Sequence, residues 1–419
     1  MRIGYACLTV GVPNVNYKSC ILRNATTSNL MNLIEHNLRV LDTVIDYNIE
    51  NNIRMFRISS DIIPFGSHPV NTVNWQSVFS DTLLSIGKKA LQNGIRLSMH
   101  PGQYTVLNSP NEEVVQRAIL DLQYHCDVLD GLGLSPEHKL ILHIGGIYGD
   151  KEAAMKRFVT NYKRLDESIK NRLIIENDDK SYTIDDVLWI AKQIDIPVVF
   201  DNLHHAIHHA DNALDEIEII QSVKETWKAK DGMQKIHYSQ QALGKRVGSH
   251  SETVTLDTFM DFYLRLDRKD IDIMLEVKDK NHSALKCIHA TMDQNPRHEL
   301  EKAWHHYKYL VMEHNPDIYQ VICQLLSDNE ENMVLLFYRL IEEALTHEVV
   351  TKNAIIASKA IWDIFKKQAS EKEKNTFNKE VLKIRKEQKI LPMKRFLYKL
   401  SNHYQENCLL DSYYFKDLM

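Results

Sequence analysis

Cysteine is scarce and unpatterned in this chain. Its six residues (Cys7, Cys20, Cys126, Cys287, Cys323, Cys408) form no C-x-x-C pair. A disulfide framework and a thiolate zinc site are therefore poorly supported, and reduced thiols are expected. No stretch approaches the roughly 20 consecutive apolar residues that a membrane span requires. A global excess of positive charge is also missing: the net charge is -5, with 51 Lys and Arg against 56 Asp and Glu. Any contact with nucleic acid must then come from a local patch. The N-terminus runs into Ile3-Gly4-Tyr5 without the basic and apolar regions of a secretion signal, and a cytoplasmic protein is expected. What is present is ordinary for a folded protein. The chain has 419 residues, 44% hydrophobic and 26% charged, enough for one large domain and a smaller one.

Apolar runs suited to buried strands fall at 2–9, 55–59, 95–99, 140–143, 173–176, 198–201, 234–237 and 273–277. Between them apolar residues recur at helical spacing, over 30–45, 78–91, 114–129, 153–169, 184–194, 214–226 and 256–266. Alternating strands and helices with unalternating strands imply a parallel sheet. Eight such units over this length predict an α/β (β/α)8 TIM barrel, with its site at the C-terminal strand ends. From about residue 302 the pattern turns to amphipathic helices. The chain thus divides into a barrel over 1–300 and an all-α region over 301–419.

The polar residues obey the barrel rule. Phe200-Asp201-Asn202-Leu203-His204 follows a strand and sets a carboxylate and an imidazole three residues apart. His100, His143, Glu176, His237 and Glu276 also fall at strand ends, and His250 lies in the seventh loop. Any one of them alone reads as a cap or an ion-pair member. Eight on one predicted face are too many for a single tetrahedral ion, and suit two or three divalent ions bridged by carboxylates. Clustered ions suit phosphodiester hydrolysis, and imidazole favours Zn, Mn or Fe over Mg. His205, His208 and His209 are expected on the helical segment after Asp201, solvated or supporting the ligands. His289, His298, His305 and His306 are expected at the surface.

Several runs together resemble the UV damage endonucleases. These are Ile3-Gly4-Tyr5; Phe56-Arg57-Ile58-Ser59-Ser60-Asp61-Ile62-Ile63-Pro64 with Ser67-His68; and Ser98-Met99-His100-Pro101-Gly102-Gln103-Tyr104. Leu142-His143, Glu176-Asn177-Asp178, Asp201 with His204, Lys235 with His237, His250 and Leu275-Glu276-Val277-Lys278 complete the set over about 1–290. The resemblance implies a barrel related to endonuclease IV that nicks damaged double-stranded DNA immediately 5′ of a cyclobutane pyrimidine dimer or (6-4) photoproduct. A 3′-hydroxyl is left, and the cofactor is a three-metal cluster, usually Mn2+, with Zn2+, Mg2+ or Co2+ as alternatives.

By the same resemblance the eight strand-end residues become metal ligands. Glu176 and Lys235 carry catalysis, with Lys235 either carboxylated and metal-bound or an ammonium facing a phosphate. His68 is a further candidate ligand, and Gln103, Tyr104 and Tyr5 probe the lesion. A monomer acting on the nucleoid is expected. Residues after 353 resemble a YbgA-type helical domain of unknown function. Its cluster of Lys383, Arg385, Lys386, Lys389, Lys394 and Arg395 reads either as a DNA contact or as a solvated face interleaved with Glu. The competing readings are an abasic-site endonuclease of the endonuclease IV type, a metal-dependent sugar isomerase and a non-catalytic damaged-DNA binding protein.

Overall fold

Eight short strands close into one parallel barrel in sequence order. They are β1 (Ile3–Ala6), β2 (Met55–Ile58), β3 (Arg96–Met99), β4 (Leu140–His143), β5 (Leu173–Glu176), β6 (Val198–Asp201), β7 (Gln234–Tyr238) and β8 (Ile271–Leu275). The expected TIM barrel is borne out. The computed structural model describes residues 1–210, 214–292, 297–327 and 333–418. Nearly every strand residue is buried, because helices cover the outside and side chains fill the lumen. Inside, Ala6, Met55 and Met274 pack together, as do Ile141, Ile174 and Val199. Each such apolar side chain contributes roughly 1.5–3 kcal/mol by leaving water. Gly4 is required by its neighbour: a Cβ there would lie 2.0 Å from the Met55 carbonyl oxygen.

The helices start where the sequence caps them. Thr26 accepts from the Asn29 amide ahead of the helix Thr27–Glu50, and Thr183 and Asp186 form a reciprocal capping box on Ile184–Ile194. Three segments differ from the sequence reading. The helix expected over 153–169 is two, Lys151–Lys163 and Glu167–Arg172, divided where Asp166 is extended. His208 and His209 lie just past the short helix Asn202–Ile207, since His208 is extended and ends it. A helix, Asn281–Ala290, also follows β8.

The chain forms two compact units, one of Met1–Thr9, Val15–Val254 and Asp261–Leu285, the other of Val10–Asn14, Thr255–Met260 and Lys286–Met419. The second is all-α. Its main helices are Arg297–His314, Pro316–Ser327, Met333–Thr346, Thr351–Phe365, Glu371–Glu387 and Leu391–His403. Trp362 stacks on Phe377 with ring centroids 4.5 Å apart. Lys394 is buried, its Nζ 2.7 Å from Glu313 Oε2 and 4.5 Å from the Tyr414 ring centroid, so it is not part of an exposed basic cluster. His289, expected at the surface, is buried with Nδ1 2.7 Å from the Tyr338 hydroxyl. Among the described residues no helix is long and apolar enough to cross a membrane.

Candidate metal centre

Glu176 stands at the middle of the C-terminal face, at the end of β5, and is 1% exposed. Its Oε1 lies 2.8 Å from His237 Nδ1 and 3.8 Å from His204 Nδ1; its Oε2 lies 3.2 Å from His100 Nε2 and 3.7 Å from His143 Nε2. Strand register helps. His143 is paired with Glu176 across β4 and β5, and Asp201 with His237 across β6 and β7. Glu276, just past β8, lies 3.4 Å from His237 Nδ1 and 3.9 Å from His250 Nδ1. His100, His143, Glu176, Asp201, His204, His237, His250 and Glu276 are thus brought into one connected group.

Within it two triads share Glu176. They are His100, His143 and Glu176, and Glu176, Asp201 and His237, each with ligand atoms within 4.8 Å of one another. Two donors that hold one ion at about 2.1 Å stand roughly 3–4 Å apart. His100 Nε2 and His143 Nε2 both stand in that range from Glu176 Oε2.

The ring orientations point the same way. His100 Nδ1 is 3.0 Å from the Pro101 carbonyl, and His204 Nδ1 is 3.0 Å from the Asn177 carbonyl. A nitrogen that donates to a carbonyl leaves the opposite ring nitrogen with a lone pair. For His100 that lone pair faces a carboxylate oxygen, an arrangement that requires a proton or a cation between them. Among the described residues, His143 Nδ1, Asp201 Oδ2, Lys235 Nζ and His237 Nε2 are buried polar atoms without a hydrogen-bond partner. Each such atom costs about 1–3 kcal/mol if nothing satisfies it. Imidazole nitrogens and carboxylate oxygens together fit Mn, Zn or Fe.

The charges are interdependent. Burial pushes the Glu176 carboxyl up, but His237, His143 and His100 outweigh it and hold it well below the ordinary range. Burial raises Asp201 to about 6. Burial disfavours the His204 imidazolium, yet Asp201, Glu176 and Glu276 lift it to about 9. Burial lowers His143 to about 4. The cluster has a surplus of carboxylate and takes up protons when no other cation is present.

Several supporting residues carried no role in the sequence reading. Asn177 is fully buried and staples β5 to β6: its Nδ2 donates to the Asp201 carbonyl (3.1 Å) and its Oδ1 accepts from the Asp201 amide (2.9 Å). Asn202 does the same between β6 and β7, exchanging bonds of 3.1 and 2.7 Å with the Ser239 backbone. Asp201 also caps the helix Asn202–Ile207, with Oδ1 accepting from the His204 amide at 2.8 Å, which leaves Oδ2 for the site. Arg57 donates to Glu276 Oε1, and that pairing holds Glu276 below the ordinary carboxylate range against its burial. The available signal was an arginine inside an otherwise apolar strand.

Gln103 and Tyr104 lie on the loop after β3, and Tyr104 is 68% exposed. Its ring covers Gly102, where a Cβ would lie 2.6 Å from it. A cleft of about 290 Å3 opens between Gly102–Gln103 and the loop at Asp178–Lys180, with His143 and His204 in its lining. Asp121 ties the surrounding loops together, accepting from Thr105 Oγ1 (2.6 Å) and Ser67 Oγ (2.8 Å).

Two candidates fall elsewhere. Tyr5 is fully buried, edge-on to Phe56 with its hydroxyl 2.7 Å from Thr9 Oγ1 and 3.0 Å from Asn48 Oδ1, so it is a core residue and not a probe of DNA. His68 is exposed, its Nδ1 accepting from the Val70 amide at 3.1 Å, and it joins neither triad. Lys235 shares the lumenal face of β7 with His237 and is fully buried. Burial drives its ammonium well below the ordinary lysine range; Arg96 adds to this and Asp272 opposes it.

Fold and cluster together define a parallel-barrel protein with a candidate metal centre at the C-terminal ends of its strands. The chain belongs to the UV-endonuclease UvdE family, whose model matches residues 1–302. A second model, a protein of unknown function (DUF1722), matches residues 308–417. The UV DNA damage endonuclease of Clostridium perfringens is 41% identical over 353 residues, covering 82% of this chain and 83% of the relative. That of Bacillus cereus (strain Q1) is 35% identical over 259 residues, 61% of this chain and 80% of the relative. The crystal structure of SacUVDE shares 40% identity, covers 69% of this chain and 96% of its own, and superposes with a TM-score of 0.65.

Proposed function

We propose that this chain is a metal-dependent endonuclease that nicks damaged duplex DNA immediately 5′ of cyclobutane pyrimidine dimers and (6-4) photoproducts, leaving a 3′-hydroxyl. Family membership supports the substrate class. The observation that carries the chemistry is the pair of triads meeting at Glu176, amid buried polar atoms that lack partners among the described residues. His100, His143, Glu176, Asp201, His204, His237, His250 and Glu276 would hold about three divalent ions, with manganese our first choice. Bound there, the ions supply Lewis acidity to the phosphodiester and acidify coordinated water.

The protein's own part is to bind and orient. Glu176 bridges the triads and fixes the two halves of the cluster at one spacing. Asn177 and Asn202 hold the ends of β5, β6 and β7 in register, so Asp201, His204 and His237 keep their aim. Among the described residues Lys235 Nζ, on the same lumenal face of β7 as His237, also has no hydrogen-bond partner. A neutral buried amine can add carbon dioxide and release a proton to become a carbamate. That would supply one more anionic ligand, and we assign it this role. Gln103 lines the cleft and the exposed Tyr104 follows it on the same loop, and both would enter the duplex at the lesion. A dimer is already poorly stacked, so opening it costs less than opening normal DNA.

The reading takes the protein as a monomer acting on cytoplasmic DNA. Residues 1–300 would carry the reaction, and 301–419 a separate role. The test uses one duplex with a single cyclobutane dimer, one with an abasic site and one undamaged, each incubated with Mn2+ or a chelator. The reading requires a metal-dependent nick directly 5′ of the dimer. A cut confined to the abasic site would assign the protein to the endonuclease IV type. Binding without any cut would leave a damage-binding protein.

A further inference from the structure

The cations of the second unit are segregated. Residues 351–399 contain fourteen Lys and Arg against five Asp and Glu, in a chain whose net charge is -5. Five of the fourteen are held in ion pairs. The other nine are all exposed and have no carboxylate partner among the described residues.

Their spacing is regular. Lys372, Lys379 and Lys386 recur every seven residues on the helix Glu371–Glu387, so they line one face of it. At 1.5 Å rise per residue they stand about 10.5 Å apart in a stripe about 21 Å long. Lys352 and Lys359 repeat the spacing on Thr351–Phe365, and Arg395 and Lys399 lie one turn apart on Leu391–His403. The three helices pack on one another through Trp362, Phe377 and Phe396, which fixes the rods that present these charges.

We propose that these three helices form a second, sequence-independent contact surface for the backbone of double-stranded nucleic acid. A duplex presents one negative charge per about 1.7 Å, so a 21 Å stripe passes roughly twelve phosphates. Single strands are gripped by exposed aromatics that stack on bases. Between 351 and 399 every aromatic side chain is buried or half-buried. A membrane surface would ask for an apolar face beside the cations. The exposed large apolar side chains here are Ile364, Leu382 and Leu391, one on each helix. The surface would hold undamaged DNA while the barrel samples it.

The test compares the full chain with K372Q/K379Q/K386Q and K372R/K379R/K386R for binding to a short undamaged duplex. Fluorescence anisotropy is read over a salt series in the presence of a chelator. The Gln variant should bind roughly tenfold more weakly at physiological salt, with a salt slope flatter by about two to three, and the Arg variant should match the parent. The three side chains are exposed, so thermal midpoints should be equal in all three proteins. Unchanged affinity and slope in the Gln variant would overturn the proposal. So would a defect confined to sedimentation with phosphatidylglycerol vesicles. The readout is binding without cleavage, so it stands or falls independently of whether the barrel nicks a dimer.

Discussion

Asn177 offers a strong test of how the barrel holds its cluster. It is fully buried, and its side-chain amide exchanges two hydrogen bonds with the backbone of Asp201. Asn177→Ala removes both partners and leaves a buried N–H and a buried C=O unsatisfied. At about 1–3 kcal/mol for each orphaned group the fold should lose about 2–6 kcal/mol. The second consequence is chemical. Asp201 would no longer be fixed at the end of β6, and loss of such a supporting bond lowers metal affinity by about 10–100-fold. Urea unfolding of the metal-free protein measures the first effect, and metal content after dialysis measures the second. A stability loss under about 1 kcal/mol together with unchanged metal content would refute the reasoning. Loss of stability alone would make Asn177 a fold residue without influence on the ligands.

Glu176→Gln should retain the fold but lose nicking by at least about 100-fold, since it removes the charge both triads share; nicking at parental rate with metal bound would refute its central role. Arg57→Ala should destabilise by about 3–5 kcal/mol because it strands the Glu276 charge, read as a shift of the urea midpoint, and Arg57→Lys should recover part of it. Tyr104→Ala should reduce preference for dimer over undamaged duplex more than it reduces metal content; an equal fall in cleavage of every substrate would oppose a probing role. In the metal-free protein the stabilising contribution of His204 should be lost as pH rises. His204 sits at about 9, above its unfolded 6.5, so its contribution is full below the unfolded value and lost as pH rises through about 9. Asp201 is raised to about 6 from 3.8, so it adds a loss of the same sign near its own folded value. Glu176 acts in the opposite sense, and its contribution is lost as pH falls. Lys235 also acts in the opposite sense, since burial depresses its ammonium, so the His204 part is read as the difference in urea midpoint between the parent and His204→Gln with a chelator, and that difference should shrink between about pH 6 and 9. A difference between parent and variant that stays constant with pH would count against this account.

The sequence alone determined the barrel and its polarity, and it pointed to the candidate ligands that the structure brings together. Buried parallel strands must be apolar along their length, so a His, Glu or Asp at a strand end is conspicuous, and period and punctuation place it at the C-terminal face. The all-α character of the second unit was legible for a similar reason, since amphipathic spacing is local. The tertiary structure decided what depends on partners distant in the chain. Tyr5 was a candidate probe until the packing of β1 on Thr27–Glu50 enclosed it, and Lys394 a candidate DNA contact until Glu313 buried it. The roles of Asn177, Asn202 and Asp121 were invisible for the same cause. An amide or carboxylate that staples two segments has no pattern of its own, only the geometry that the closed barrel gives it.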